Sequence, residues 1–277
     1  LNLLNSQKAE IAGHSVHYWE GGEGFPVLML HGVGPGTSIV GNFGPVLEPL
    51  AEHCHIFAAD LIGFGESGRK SAAPLFDVDL WVEQSLAMID EILPPGPCGI
   101  AGHSLGGALA LKTASRCDRV NCVLTSSSVG ASYSLNDALD GFWTLPNTPD
   151  ALKDSMIKMV GNPAALTDEM IDQRWALLKT GDYAAYFGEM FAPPRQQYLD
   201  AAVLSPEELA NISAKVVMLH GRDDQPCPAE ETTNTLAQSL SGADVHLFGN
   251  CGHNLPRERS EDYLTAAIQL FETETNS

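Results

Sequence analysis

Basic residues are scarce in this chain: 15 Lys and Arg stand against 35 Asp and Glu in 277 residues, a formal net charge of −20. Recognition of a phosphate backbone needs clustered Lys and Arg, and so does adhesion to an anionic bilayer, so neither nucleic acid nor membrane is expected as a partner. Long hydrophobic runs are missing too, and none reaches the roughly 18 residues of a membrane span. The start carries no basic segment followed by an apolar stretch, so no secretory leader is read. The six cysteines show no C-x-x-C spacing and no histidine pair at zinc-finger distance, and no metal is expected. The expectation is a cytoplasmic protein with reduced thiols. Internal repeats and low-complexity segments are absent. What remains is an ordinary globular composition, 44% hydrophobic and 18% charged, long enough to bury a core without staples. An anionic substrate would meet a repelling field here, which makes every Arg near an active centre worth following.

Apolar runs without polar alternation suit strands covered on both faces. Val27–Leu30, His55–Ala59, Cys98–Ala101 and Val120–Leu124 are such runs. Between them lie helical stretches. Asp79–Leu93 sets Leu80, Val82, Leu86, Ile89 and Leu93 at helical spacing and stops at Pro94-Pro95-Gly96, and Leu105–Ser115 is rich in Ala and Leu. The alternation predicts an α/β fold with a mostly parallel, doubly wound sheet. The rhythm breaks near residue 129. Residues 130–211 read as helical, with scattered aromatics among which Phe142, Trp143, Trp175, Phe187 and Phe191 suit either pocket or packing. Strand candidates resume at Lys215–Leu219 and Asp244–Phe248, and Asp262–Phe271 reads as a last helix. The expected organisation is a core of 1–129 and 212–277 with a helical cap, 130–211, inserted between its halves.

Gly102-His103-Ser104-Leu105-Gly106 follows one strand candidate and opens a helix. In that context Gly-x-Ser-x-Gly is a nucleophile elbow, with Ser104 projecting from a tight turn. A serine hydroxyl needs a base. Of nine histidines, His253 lies in a Gly-His loop just past the last strand candidate. His14, His17, His53, His55 and His246 sit in or beside strands, His31 and His220 read as loop holders, and His103 points away from its neighbour's proton. The acid that orients the base is sought in Gly221-Arg222-Asp223-Asp224, with Asp224 preferred and Asp223 the alternative. Donors for a developing oxyanion are the N–H of Leu105 and one from His31-Gly32-Val33-Gly34-Pro35-Gly36. Val33 is the choice there, and Gly32 or Gly34 would serve the same physics. That loop lacks both Gly-Lys-Ser/Thr and G-x-G-x-x-G, so no nucleotide and no other cofactor is expected.

The order Ser104, Asp224, His253 with an inserted cap resembles the α/β-hydrolase superfamily across the whole chain. The loop His31–Gly36 followed by Gly41-Asn42-Phe43 is similar, more narrowly, to the meta-cleavage product hydrolases. Asp60–Ser67, Gln173-Arg174-Trp175, Ala192–Gln196 and Gly249–His253 fit the same pattern. The resemblance implies an α/β-hydrolase fold and carbon–carbon bond hydrolysis of a small anionic 2-hydroxy-6-oxo-hexa-2,4-dienoate type substrate. It assigns Asn42 and Arg174 to the carboxylate and 2-hydroxy end, and implies a homo-oligomer, a dimer or larger. Two positions depart from the family. Asn is usual where His103 stands, and Trp is frequent where Asn254 stands; both positions line the family's substrate pocket. These changes leave a carboxylesterase or lactonase on the same triad as the rival enzyme, and a hydrolase-fold ligand receptor as the rival of another class.

Overall fold

The computed structural model describes residues 1–275. It opens on a hairpin that the strand reading does not anticipate. β1 (Asn5–Ile11) and β2 (His14–Gly21) pair antiparallel about Ala12 and Gly13, both at positive φ. Then come β3 (Pro26–Leu30), α1 (Ile39–Ala51), β4 (His55–Ala59), α2 (Val78–Glu91), β5 (Cys98–His103), α3 (Leu105–Ala114) and β6 (Val120–Ser126). After β6 the chain leaves the sheet for α4 (Asp137–Phe142), α5 (Pro149–Ile157), α6 (Asp168–Leu178), α7 (Tyr183–Met190), α8 (Gln196–Ala201) and α9 (Pro206–Asn211). It returns as β7 (Lys215–Gly221), α10 (Thr233–Ser239), β8 (Asp244–Phe248), α11 (Leu255–Glu258) and α12 (Ser260–Thr275).

The eight strands lie in the order β1-β2-β4-β3-β5-β6-β7-β8, parallel from β4 onward and antiparallel at the hairpin end. Successive side chains of a strand point to opposite faces, so an uninterrupted apolar run feeds two cores. In β3, Val27 and Met29 pack with Phe43, Leu47 and Tyr263 beneath α1 and α12, while Leu28 and Leu30 pack with Trp81, Val82 and Leu109 beneath α2 and α3. The helix starts are written locally. Ser38 caps α1 by accepting from Gly41 N–H, and Asp77 caps α2 by accepting from Leu80 N–H. The parallel strands end together at one edge of the sheet, where ligands of doubly wound folds bind.

Cap and core share one hydrophobic cluster, in which Trp143, Phe187 and Phe191 are buried alongside Phe76 and Trp81. Of the cap aromatics, Phe142 alone among the five singled out above borders the catalytic cavity; Trp175 lies half-buried with Lys179 Nζ 5.0 Å from its ring centre.

Candidate active site

β5 delivers Ser104 to the edge of the sheet at φ 55°, ψ −121°, a conformation that non-glycine residues seldom adopt. Close packing explains the two flanking glycines. A methyl at Gly102 would lie 2.1 Å from Gly106 O, and one at Gly106 would lie 2.3 Å from Leu30 O. The elbow is then held by Ser104 N–H to Ser126 O (2.9 Å) and by Gly107 N–H to Ser104 O (3.0 Å). Leu105 is the first residue of α3, where backbone N–H groups have no helical acceptor and favour negative charge.

The β7 and β8 ends bring the acid and the base together. His253 Nδ1 donates to Asp224 Oδ2 at 2.9 Å, with both residues buried. The other carboxylate oxygen, Oδ1, accepts from Cys227 N–H at 2.9 Å. Asp223 serves elsewhere: its Oδ2 accepts from Cys251 N–H at 3.2 Å. Burial alone would raise the Asp224 carboxyl, but the charge of His253 and the hydrogen bonds from His220 and His253 hold it well below the carboxylate range. Burial likewise disfavours a charged His253, yet Asp224 outweighs it and lifts this imidazole well above its ordinary value. Asp224, Cys227 and His253 each turn one ligand atom within 4.8 Å of the others, but an ion there would displace the proton that joins His253 to Asp224.

The sequence reads His220 as a loop holder, and the loop it holds is the one that carries the acid; the clamp from Met159 has no sequence signal. His220 Nε2 lies 2.7 Å from Cys227 O and 3.1 Å from Asp224 Oδ2. A carbonyl only accepts, so Nε2 carries the proton, and Nδ1 accepts from Thr233 Oγ1 at 2.7 Å. Met159, from the cap segment, accepts from His253 N–H (2.8 Å) and Asn254 N–H (3.2 Å) through its carbonyl. The cap therefore fixes the loop that carries the base. No spacing rule announces a backbone carbonyl as a clamp.

Ser104 and His253 face one cavity, together with Gly32, Val33, Thr37, Asn42, His103, Phe142, Met159, Arg174 and Asn254. The cavity is small, about 10 Å³, room for about one water. Among the described residues Ser104 Oγ makes no direct hydrogen bond, so its hydroxyl must close on His253 across the cavity they share; such catalytic contacts are often loose in unliganded enzymes. Gly32 N–H is already given to Asn42 Oδ1 at 2.8 Å. Val33 N–H has no acceptor among the described residues and is the loop's available donor. Gly34 lies off the cavity wall, so close beneath Phe142 that a methyl there would meet the ring at 2.2 Å.

His103 donates Nδ1–H to Ser126 O at 3.1 Å, and its ring centre lies 5.0 Å from that of His253. Burial, then the charge of His253, holds this imidazole well below its ordinary value. Arg174 is buried at 5% exposure and donates from Nη1 to Thr37 Oγ1 (2.9 Å) and Pro35 O (3.1 Å). Asp168 is bound instead by Lys153 at 2.8 Å. Burial, then repulsion from Arg257, brings Arg174 down to about 10, which leaves it charged at neutral pH. Asn254 is 5% exposed, and its Nδ2 has no hydrogen-bond partner.

The site combines a hydroxyl, an imidazole oriented by a carboxylate, the Val33 backbone and one cation around one cavity, with the Leu105 N–H next to the nucleophile at the start of α3, an arrangement suited to attack on a carbonyl beside an anionic group. Its tightest tolerance is at Gly32, where a methyl would lie 2.7 Å from Ser104 Cβ. Gly32→Ala is expected to spread the nucleophile from Val33 N–H and to cut turnover about 10²-fold, the effect of losing one oxyanion donor. A thermal melt run beside the assay separates this from unfolding.

The profile described as the alpha/beta hydrolase family matches residues 27–266. The chain is 32% identical to 2-hydroxy-6-oxo-2,4-heptadienoate hydrolase of Pseudomonas putida, over 88% of this chain and 87% of that protein. It is 30% identical to 2-hydroxymuconate semialdehyde hydrolase of a Pseudomonas species, over 87% and 85%. Among solved structures, the meta-cleavage product hydrolase of Pseudomonas fluorescens superposes with a TM-score of 0.90 at 27% identity, over 97% of this chain and 98% of that one. Matched over most of its length in sequence and in fold, the chain belongs to the alpha/beta hydrolase family, within its meta-cleavage product hydrolases.

Proposed function

We propose that this protein is a serine-dependent hydrolase that cuts a carbon–carbon bond in a 2-hydroxy-6-oxo-hexa-2,4-dienoate type product of aromatic ring cleavage. The observation that carries the reading is Arg174. A buried guanidinium without a carboxylate partner among the described residues borders the same cavity as Ser104 and His253. Such a charge calls for an anionic ligand, and a dienoate supplies one.

In the proposed sequence Arg174 holds the substrate carboxylate. Asn42 keeps its Oδ1 on Gly32, which leaves Nδ2 to face the 2-oxygen. His253 relays the proton that converts the dienol to its keto form, so that the bond to be cut can release its electron pair into a stabilised carbanion. Ser104 then adds to the 6-oxo carbon as His253 Nε2 takes the hydroxyl proton, and the new oxyanion rests on the N–H groups of Val33 and Leu105. The carbon–carbon bond breaks, its electron pair runs through the conjugated chain to the 2-oxygen, the dienolate oxygen takes back the proton held by His253, and water releases the acid from Ser104. The products are a 2-hydroxypentadienoate and a carboxylic acid. General acid–base help of about 10²–10⁴-fold and about 10²–10³-fold per oxyanion donor are the magnitudes this scheme needs. A cavity that holds about one water requires the cap to yield when substrate enters.

The direct test is decay of the dienoate absorbance on mixing with enzyme, for alkyl- and aryl-substituted substrates. Unchanged absorbance with every dienoate, beside rapid ester hydrolysis, would overturn the reading in favour of the carboxylesterase or lactonase alternative, which the polar His103 and Asn254 at the cavity wall favour. Arg174→Met should lower kcat/KM about 10²-fold more for the dienoate than for a neutral p-nitrophenyl ester, the value of hydrogen bonds to a charged group.

A further inference from the structure

Arg174 forms a partition. One side borders the catalytic cavity; the other borders a second cavity between α1, α6 and α11, bounded also by Gly36, Ser38, Gln173 and Arg257. Arg257, Gln173 and Met170 in turn separate that second space from a surface groove, which Thr167 and Glu169 flank. The three spaces grow outward from about 10 Å³ to about 40 and about 320 Å³. Two arginines thus stand in series between the groove and Ser104.

Neither is neutralised. Arg69, Arg116, Arg119, Arg195 and Arg259 each reach a carboxylate within 4.0 Å, whereas Arg174, Arg257 and the exposed Arg222 reach none among the described residues. Burial lowers both guanidiniums; Arg257 lowers Arg174 further, while the Glu169 charge offsets part of the burial at Arg257. Arg257 is also held in place. Pro45 inside α1 has no N–H, so Gly41 O lacks its helical donor. Arg257 Nε supplies one at 2.7 Å, and its Nη2 reaches Val40 O at 3.2 Å. Its Nη1 has no acceptor among the described residues, and the side chain borders both outer spaces. In a chain of net charge −20, a local run of cations is what draws an anion inward against the general field.

We infer that the groove and the second cavity form the passage by which the substrate's carboxylate reaches the catalytic cavity, received first by Arg257 and handed on to Arg174. The inference rests on the reading of the substrate as a carboxylate. It requires Arg174 to swing between its two cavities while Arg257 stays anchored to α1.

The test uses the whole protein and two chromogenic esters, p-nitrophenyl acetate and the anionic p-nitrophenyl hydrogen glutarate. Arg257→Met should lower kcat/KM for the anionic ester about fivefold more than for the neutral one at low salt, and high salt should close the gap. Arg257→Lys, which keeps the charge, should restore most of it. Equal losses with both esters would assign Arg257 to α1 alone and overturn the passage, as would no loss with either. The association rate of sorbate, followed by tryptophan fluorescence against its methyl ester, gives the same contrast without turnover. An enzyme that discriminates between the esters in this way but leaves dienoates intact would overturn the carbon–carbon reading and keep the passage.

Discussion

Ser104→Ala should lower kcat/KM for the dienoate on the order of 10⁶-fold, as loss of a triad nucleophile does elsewhere, while leaving the folded protein nearly as stable. The two halves of this result have separate causes. Ser104 Oγ makes no hydrogen bond among the described residues, so its removal leaves no buried partner without a bond. The backbone strain at φ 55° persists in Ala as in Ser, and the backbone bonds through Ser126 O and Gly107 N–H do not involve the side chain. The melting temperature should therefore shift by no more than a few degrees, about 1 kcal/mol or less. Arg174, Asn42 and the backbone donors remain, so the variant should still bind the dienoate and show its absorbance unchanged over many wild-type turnover times. A variant keeping a tenth of wild-type activity would remove the hydroxyl from the chemistry and give the attack to a water activated by His253 alone.

The legibility of this molecule follows the range of its interactions. Strands buried on both faces announce themselves because each run feeds two cores at once, as Val27–Leu30 does with alternate residues in different clusters. The hairpin of β1 and β2 escaped notice because β1 lies at the sheet edge with most of its residues exposed, so no apolar run marks it. Helix ends were displaced by a residue or two where a cap decides them: α2 starts at Val78 because Asp77 accepts from Leu80 N–H, a contact that the apolar periodicity does not contain. Ser104 was legible because the flanking glycines are required by contacts within the elbow itself and with its neighbouring strand. His253 and Asp224 were legible as residues at successive strand ends. The supports were legible only in part. His220 reads as a strand-end histidine that holds a loop by hydrogen bonds, and the fold adds which groups its Nε2 meets, Cys227 O and Asp224. The carbonyl of Met159 and the donor of Arg257 to Gly41 O join segments far apart in sequence, with Pro45 the one local sign that a carbonyl needed a partner.

Those supports sharpen a second large effect, at Asp224. Asp224→Asn is isosteric, yet the site offers its two oxygens three donors: Cys227 N–H on Oδ1, and the Nδ1 and Nε2 protons of His253 and His220 on Oδ2. An amide cannot serve all three. With its oxygen on Cys227 N–H, its NH₂ confronts both imidazoles; His253 must then accept through Nδ1 and carry its proton on Nε2, where it cannot take one from Ser104. With the amide turned over, its NH₂ confronts Cys227 N–H. Turnover should fall on the order of 10⁴-fold, and stability by about 1–3 kcal/mol for the buried group left without its bond. The pH profile identifies the cause. His253 acts as a base only when neutral, and Asp224 holds its proton on to a pH above the ordinary imidazole value, so wild-type activity should be lost as pH falls through that raised value. In the variant the carboxylate's attraction is gone and burial, which disfavours the charged ring, dominates. The acid limb should then move to lower pH, beneath the imidazole value of 6.5. A loss of activity with the acid limb unmoved would mean that Asp224 only braces the loop and does not set the charge of His253.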